Sequence, residues 1–341
     1  MVKSYSQEIM KTIIIFGATG GIGAYTALHL YDQKKYRVVA VGNRKSDNGF
    51  YQQYDIPYYS VDITNYDSFN VLPKENIYAV VNFAGVLPSK NYDPRKFINS
   101  FTLGTLNVLE FMRAVGCKKI ISAQTPADLW YLQNTSTPMP ADARRSFPPS
   151  TDHSIYTIAK NAAIDIVEYY HNTYGFSRFI LRFFNVYKYH PNPYYHVDGV
   201  KRMMSFRLLM EKAKRGEDIE VWGDPTRTKE VLYVKDLTRL VEQCIESEIE
   251  GGIYNVGSET QISLEEQIDG IISVFGEGKV SNKIYCPAKP DPLFNHLDIS
   301  KTVLELNYSP KYSYLEWLQD FKEEEKLNRF KLLWGTEEDY N

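Results

Sequence analysis

The sequence predicts an α/β protein: a doubly wound parallel sheet with a smaller C-terminal α/β lobe. Three observations predict it. Short apolar runs alternate with helix-length stretches through residue 187, the rhythm of βα units. The first run ends in a glycine cluster, GATGGIG (17–23), that leads straight into a helical pattern. The rhythm then breaks at the Pro/Tyr-rich stretch YKYHPNPYYHVDG (187–199). The chain therefore divides into an N-terminal unit over 11–187 and a smaller lobe over 188–330 interleaved with it.

The elements follow in order. TIIIF (12–16) is a buried strand, and the residues after its glycines form a helix. YRVVAVG (36–42) is the second strand, a third lies around 56–61 just before VDIT (61–64), and IYAVVNFAG (77–85) is the fourth with its turn. Residues 93–115 place Phe97, Ile98, Phe101, Leu106, Leu109 and Met112 at helical spacing. KKIISA (118–123) is the fifth strand, a helix carrying Tyr156 and Lys160 runs to about Tyr174, and SRFILRFFNVY (177–187) is the sixth. Beyond, the pattern predicts a helix over 200–215, strands at IEVWG and near 231–234, a helix over 236–247, the run GGIYNVG and a charged helical end from about 313.

Composition excludes several classes. Of 341 residues 24% are charged and 43% hydrophobic, as in ordinary globular proteins, and a net charge of −3 without a basic run gives no reason to expect nucleic acid. Cys117, Cys244 and Cys286 have no metal or disulfide spacing, which fits a reducing compartment. The N-terminus lacks the apolar segment of a signal peptide and no run reaches membrane length, so a cytoplasmic location is expected.

The glycines carry the first chemical signal. Gly17, Gly20 and Gly23, with Thr19, Gly21 and Ile22 between them, follow the first strand and open a helix. This is the Rossmann fingerprint, in which the turn admits a pyrophosphate and the helix N-terminus faces its charge. The second strand ends in VGNRK: Gly42 stands where NAD sites carry an acid, followed by Asn43, Arg44 and Lys45. A missing carboxylate beside two cations favours the 2′-phosphate of NADP, with NAD as the alternative.

Tyr156 and Lys160 carry the second. Spaced four apart, they share a helix face. A tyrosine near its ordinary pKa is a poor base, and a nearby ammonium would favour its phenolate. Thr125, at the carboxyl edge of the fifth strand, is positioned to hydrogen-bond a reacting oxygen, with Ser122 as the rival.

With these motifs the chain resembles the extended short-chain dehydrogenase/reductase family, in its NAD(P)-dependent nucleotide-sugar epimerase/dehydratase branch. The resemblance spans about 12–320 and includes VDIT, VNFAG, INSFTLGTLNVLE, LRFFNVY, WGDPTRTKEVLYVKDL and DPLFNHLDISK. It implies that Thr125, Tyr156 and Lys160 are catalytic. It further implies that Asp62 and Ile63 border the adenine, that Asn82, Phe83, Ala84 and Gly85 line the dinucleotide, and that Asn99 supports the cofactor. Phe183 and Phe184 would reach the cofactor, and Asn185 would lie between nicotinamide and substrate. The family commonly pairs two copies, which makes the stripes on helices 93–115 and 155–174 a candidate homodimer face or a core-facing one.

Departures narrow the activity. Family dehydratases follow the threonine with Asp-Glu; here Pro126 and Ala127 stand, and Asp128 comes one place late. Ala127 also replaces the cysteine expected of epimerase-reductases that make GDP-fucose. Lys229 replaces a diphosphate-binding arginine, with Arg227 nearby; a later arginine is lost near Lys289, and Lys188 replaces the glycine after NVY. The long proline-rich segment 126–153 reads as a lid whose Arg144 and Arg145 meet an anionic substrate, or as a loop carrying solvated charges. His190 and His196 read as surface histidines, with an acid/base role as the alternative. The sequence thus predicts an NAD(P)-dependent epimerase or reductase of a sugar hydroxyl or ketone, with a nucleotide sugar as small-molecule substrate. A reductase of a non-sugar ketone and a non-catalytic dinucleotide-sensing protein are the alternatives.

Overall fold

The computed structural model describes residues 10–86, 93–133, 135, 137–150, 154–197, 200–258, 260–290 and 295–340. Residues 134, 136 and 151–153 of the proline-rich segment, and 291–294 of the late motif, lie outside the described residues.

Lys11–Phe16 (β1) is apolar from Ile13 on because both faces are covered there: Ile13 and Ile15 enter one core, Ile14 and Phe16 the other. The turn after it feeds Gly21–Asp32 (α1), then Tyr36–Gly42 (β2), Tyr58–Ser60 (β3) and Ile77–Asn82 (β4). Next comes one long helical segment: Pro94–Phe97 (α2), a π-helical turn over Ile98–Leu103, and Gly104–Ala114 (α3). Lys119–Gln124 (β5), Ser154–Tyr174 (α4) and Ser177–Arg182 (β6) complete the expected series.

The second half contains Val186–Tyr187 (β7), the hairpin Tyr194–Val197 (β8) and Val200–Met203 (β9), Ser205–Arg215 (α5), Ile219–Trp222 (β10), Thr228–Lys229 (β11) and Leu232–Tyr233 (β12). Val234–Glu246 (α6), Gly251–Asn255 (β13), Ile262–Ser263 (β14), Leu264–Phe275 (α7) and Lys283–Cys286 (β15) follow, then Ser300–Leu306 (α8), Tyr314–Leu327 (α9) and Lys331–Trp334 (α10). The hairpin occupies part of what the sequence suggests is irregular. The helix expected over 200–215 begins only at Ser205, because residues 200–203 pair as β9.

The main sheet runs β3-β2-β1-β4-β5-β6-β13, and every pair is parallel. Strand order reverses between β1 and β4, which opens the crevice where such sheets bind ligands. Two elements from beyond residue 188 return to this layer. β13 pairs with β6, and α6 lies on α1, where Glu242 carboxylate oxygens meet His29 Nε2 and Lys35 Nζ, each at 2.8 Å. The chain's last turns return as well: Phe330 stacks on Trp334 at 4.2 Å between ring centroids, and Trp334 Nε1 donates to the Thr19 carbonyl at 3.0 Å. No helix among the described residues is long and apolar enough to cross a membrane.

Candidate active site

The glycine turn is built for close approach. Gly17 has φ +81°, and a Cβ there would sit 2.7 Å from the Phe83 carbonyl and the Ala84 nitrogen at the end of β4. A Cβ on Gly23 would meet the Gly17 carbonyl at 2.3 Å, so α1 lies tight on the turn. Gly20 is the N-cap of α1, with no side-chain cap bond and no acid in the first turn. Uncapped N–H groups at a helix start suit a pyrophosphate, so the residues present fit a dinucleotide.

Thr19, another predicted cofactor residue, lies in the turn itself. Thr19 packs under Gly42, where any side chain would strike Thr19 Cγ2 at 2.7 Å and the Tyr58 hydroxyl at 2.9 Å. No carboxylate therefore fits at the end of β2, where Asn43, Arg44 and Lys45 are exposed. Arg44 is partly committed: its Nη1 donates to the Leu333 carbonyl at 2.6 Å. Asp62 is exposed, and its Oδ1 accepts from the Thr64 amide and hydroxyl. Ile63 is fixed by Asn107 Nδ2, which donates to its carbonyl at 2.8 Å, and by Gly104, where a Cβ would lie 2.6 Å from Ile63 Cδ1. Gly85 leaves room for the Phe101 ring, 2.1 Å from where its Cβ would be. Asn99 is exposed on the π turn, a distortion that recurs at functional sites.

α4 brings Tyr156 and Lys160 to one face beside the end of β5. Lys160 Nζ donates to the Ala123 carbonyl at 2.8 Å and lies 4.6 Å from the Phe101 ring centre and 6.0 Å from that of Tyr156. Phe97 and Phe101 contact the Tyr156 ring edge-on, at 6.0 and 5.3 Å. Thr125 Oγ1 accepts from the Ala127 amide at 3.3 Å, so its hydroxyl hydrogen is free to turn outward. Burial pushes the Tyr156 phenol up to about 12 and the Lys160 ammonium down to about 8. The sequence reading has the lysine easing ionisation of the tyrosine; in the protein alone, desolvation outweighs it.

The substrate-side residues separate into two groups. Asn185 and Lys229 line a cavity of about 40 Å³ together with Phe184, Glu230, Asn295 and His296. Arg227 lies in the turn before β11, its amide donating to the Asp224 carbonyl at 3.4 Å. Glu230 is a residue the sequence reading misses. Burial pushes its carboxyl up, while Oε1 accepts from the Leu297 amide at 2.5 Å and lies 3.6 Å from His296 Nδ1.

Arg144 and Arg145 instead line a cavity of about 510 Å³ with Ala141, Asn161, Asp165 and Ile253, which Thr125, Tyr156 and Lys160 do not border. Arg145 pairs with Asp165 and donates to the Asn161 carbonyl at 3.1 Å, so it ties the segment to α4. Phe183 continues β6, its amide donating to the Gln124 carbonyl at 3.3 Å. His190, expected at the surface, is half-buried against Trp334 at 4.5 Å; burial, Lys188, Arg44 and Arg207 lower its pKa to about 3.

Residues 13–257 match the NAD dependent epimerase/dehydratase family. The chain belongs to this family. It is therefore an NAD(P)-dependent enzyme of the epimerase and oxidoreductase type. Its relatives include the UDP-glucuronate 4-epimerase of Thermodesulfobacterium geofontis, 27% identical over 267 residues and 77% of each chain. UDP-glucuronic acid decarboxylase 5 of Arabidopsis thaliana is 25% identical over 327 residues, 95% of this chain and 91% of that one. The UDP-glucose 4-epimerase of Thermotoga maritima, solved with UDP-glucose, superposes with a TM-score of 0.72 at 22% identity, over 92% of this chain and 97% of that one. The UDP-glucuronic acid 4-epimerase of Bacillus cereus, in complex with NAD, gives 0.69 at 20% identity over 97% and 100%. These two likenesses show that this epimerase/dehydratase shares their fold.

Proposed function

We propose that the enzyme epimerises a nucleotide sugar through a keto sugar, with Tyr156 as proton acceptor and donor. The observation that supports this reading is the hydrogen bond from Lys160 Nζ to the Ala123 carbonyl. It sets the helix face of Tyr156 and Lys160 at the end of β5, just before Thr125 and then Pro126 and Ala127, whose side chains have no proton to give. When bound, the nicotinamide supplies a hydride acceptor that can also return the hydride. As the phenolate that the charge of Lys160 and of a bound oxidised nicotinamide would favour, Tyr156 takes the hydroxyl proton as the carbonyl forms and gives it back on the return. Thr125 donates its free hydrogen to the reacting oxygen. Lys160, anchored on the Ala123 carbonyl, keeps positive charge at the cofactor end of the centre. Asn185 and Lys229 hold the substrate, with Lys229 and Arg227 as the cations closest in sequence for its diphosphate.

Arg44 and Lys45 beside Gly42 favour NADP over NAD, and the same cations support a second reading, a sugar reductase that consumes NADPH. Incubation with a panel of UDP- and other nucleotide sugars separates the two. An epimerase inverts one sugar carbon, seen by proton NMR, with no net change at 340 nm; a reductase gives stoichiometric loss of that absorbance. Neither signal with any sugar would refute both. Ile98, Leu103, Leu106, Ile158 and Tyr169 are exposed apolar side chains on the α2–α4 face. We read them as the contact with a second copy; light scattering at monomer mass would overturn this.

A further inference from the structure

Lysines that lose hydration in this fold are mostly compensated. Lys119 Nζ donates to the carbonyls of Ile245 at 2.7 Å and Ser247 at 2.6 Å, and Lys160 Nζ to Ala123. Lys188 differs: it is half-buried and among the described residues has no hydrogen-bond or ion-pair partner, and its partial desolvation lowers its ammonium to about 8. Its side chain lies on the glycine turn. A Cβ built on Gly21 would stand 2.1 Å from Lys188 Cε and 3.3 Å from Nζ, so Gly21 is what lets the lysine lie there. Gly21 is also the first residue of α1, whose N-terminus carries neither cap nor acid. A cation and a positive helix end held together without an anion repel one another.

The arrangement is held by the residues just after the lysine. Tyr25 Oη on α1 donates to the Tyr189 carbonyl at 3.3 Å. His190 stacks on Trp334, whose Nε1 is bonded to Thr19 in the turn. The two residues that follow the lysine are thus tied to α1 and, through Trp334, to the glycine turn.

We propose that Lys188 is a pyrophosphate-binding residue, reaching across the crevice to hold the diphosphate of the dinucleotide against the glycine turn. This rests on reading that turn as the dinucleotide site. The residue replaces a glycine of the family pattern, so the grip is a feature of this chain's own sequence. A diphosphate is shared by dinucleotide and nucleotide sugar, and the proposal assigns Lys188 to the first.

The test is equilibrium binding to the full-length protein, with NADPH and NADH followed by fluorescence and UDP by calorimetry. Lys188→Met should weaken the preferred dinucleotide roughly 10- to 100-fold, the loss of one charge-assisted contact. Lys188→Arg should stay within a few-fold. UDP affinity should not change. Gly21→Ala, which keeps the charge but pushes the side chain off the turn, should weaken the dinucleotide as well. The melting temperature of ligand-free Lys188→Met should be no lower than that of wild type, because no partner is lost. Unchanged dinucleotide binding in Lys188→Met, or a loss confined to UDP, overturns the proposal while leaving the cofactor reading intact. Wild-type protein that binds neither dinucleotide overturns both.

Discussion

Replacing Asp128 by alanine is expected to cost the fold about 3–5 kcal/mol, the usual effect of breaking a buried ion pair from one side. Asp128 Oδ2 lies 2.9 Å from Arg182 Nη2, and both side chains are 0% exposed. The same oxygen accepts from Gln124 Nε2 at 3.0 Å. Without the carboxylate, Arg182 keeps only neutral acceptors, the Ala141 carbonyl at 3.0 Å and Asn255 Oδ1 at 3.1 Å. At roughly 2.1 cal/mol/K per residue, a 341-residue chain has an unfolding entropy near ~0.7 kcal/mol/K, so the melting temperature should fall by about 4–7 °C. Thermal and urea unfolding measure the loss. The control is Asp128→Leu with Arg182→Met, which removes both charges and should recover most of it. A single variant that melts within 1 °C of wild type, or a double variant worse than the single, would refute the argument that an uncompensated guanidinium is the cause.

Other outcomes follow from the site. Tyr156→Phe should lower kcat by about 10²–10⁴-fold while dinucleotide affinity stays within a few-fold, measured by NMR turnover and fluorescence titration. His190 titrates near 3 in the fold against about 6.5 when unfolded, so the native state binds fewer protons; stability should fall as pH drops below about 6.5, by at most about 1.4 kcal/mol per pH unit, and less steeply in His190→Asn. Urea midpoints from pH 7 to 4 would show it, and parallel curves would count against it. Arg44→Ser should shift the ratio of NADP to NAD affinity toward NAD by roughly tenfold, and an unchanged ratio would remove Arg44 from the 2′-phosphate site. Gly104→Ala should cost about 1–3 kcal/mol by overpacking against Ile63 Cδ1, seen as a lower melting temperature.

Much of this architecture was legible because its signals are local. IIIF in β1 and VVAVG in β2 are unbroken apolar runs, as strands covered on both faces must be, and β2 spans Tyr36–Gly42, the stretch read as a strand. The spacing of Tyr156 and Lys160 needed only a helix to put them on one face. What escaped depends on pairing across the chain. GGIYNVG stands out in the sequence only as a run, and nothing in it says that it pairs with β6 as the edge strand of the sheet. Arg145 reads as a substrate ligand because Asp165, its partner, lies on an element whose placement the sequence does not give. Lys188 was visible only as a missing glycine, because its target turn lies far upstream. Trp334 bonds to a carbonyl 315 positions away, which no periodicity can announce.

The π turn at Ile98–Leu103 carries a further meaning for how this segment tolerates change. A helix interrupted in this way has two phases. The upstream phase sets Phe97 and Phe101 against Tyr156, and the downstream phase sets Gly104 and Asn107 against Ile63. One residue advances an α-helix by roughly 100°. Losing a single codon anywhere in this turn would relax it to regular helix and swing one group off its target, whichever of the six side chains was removed. The segment should therefore accept no one-residue deletion, because what is encoded there is a count as well as the identities of Phe97, Phe101 and Gly104.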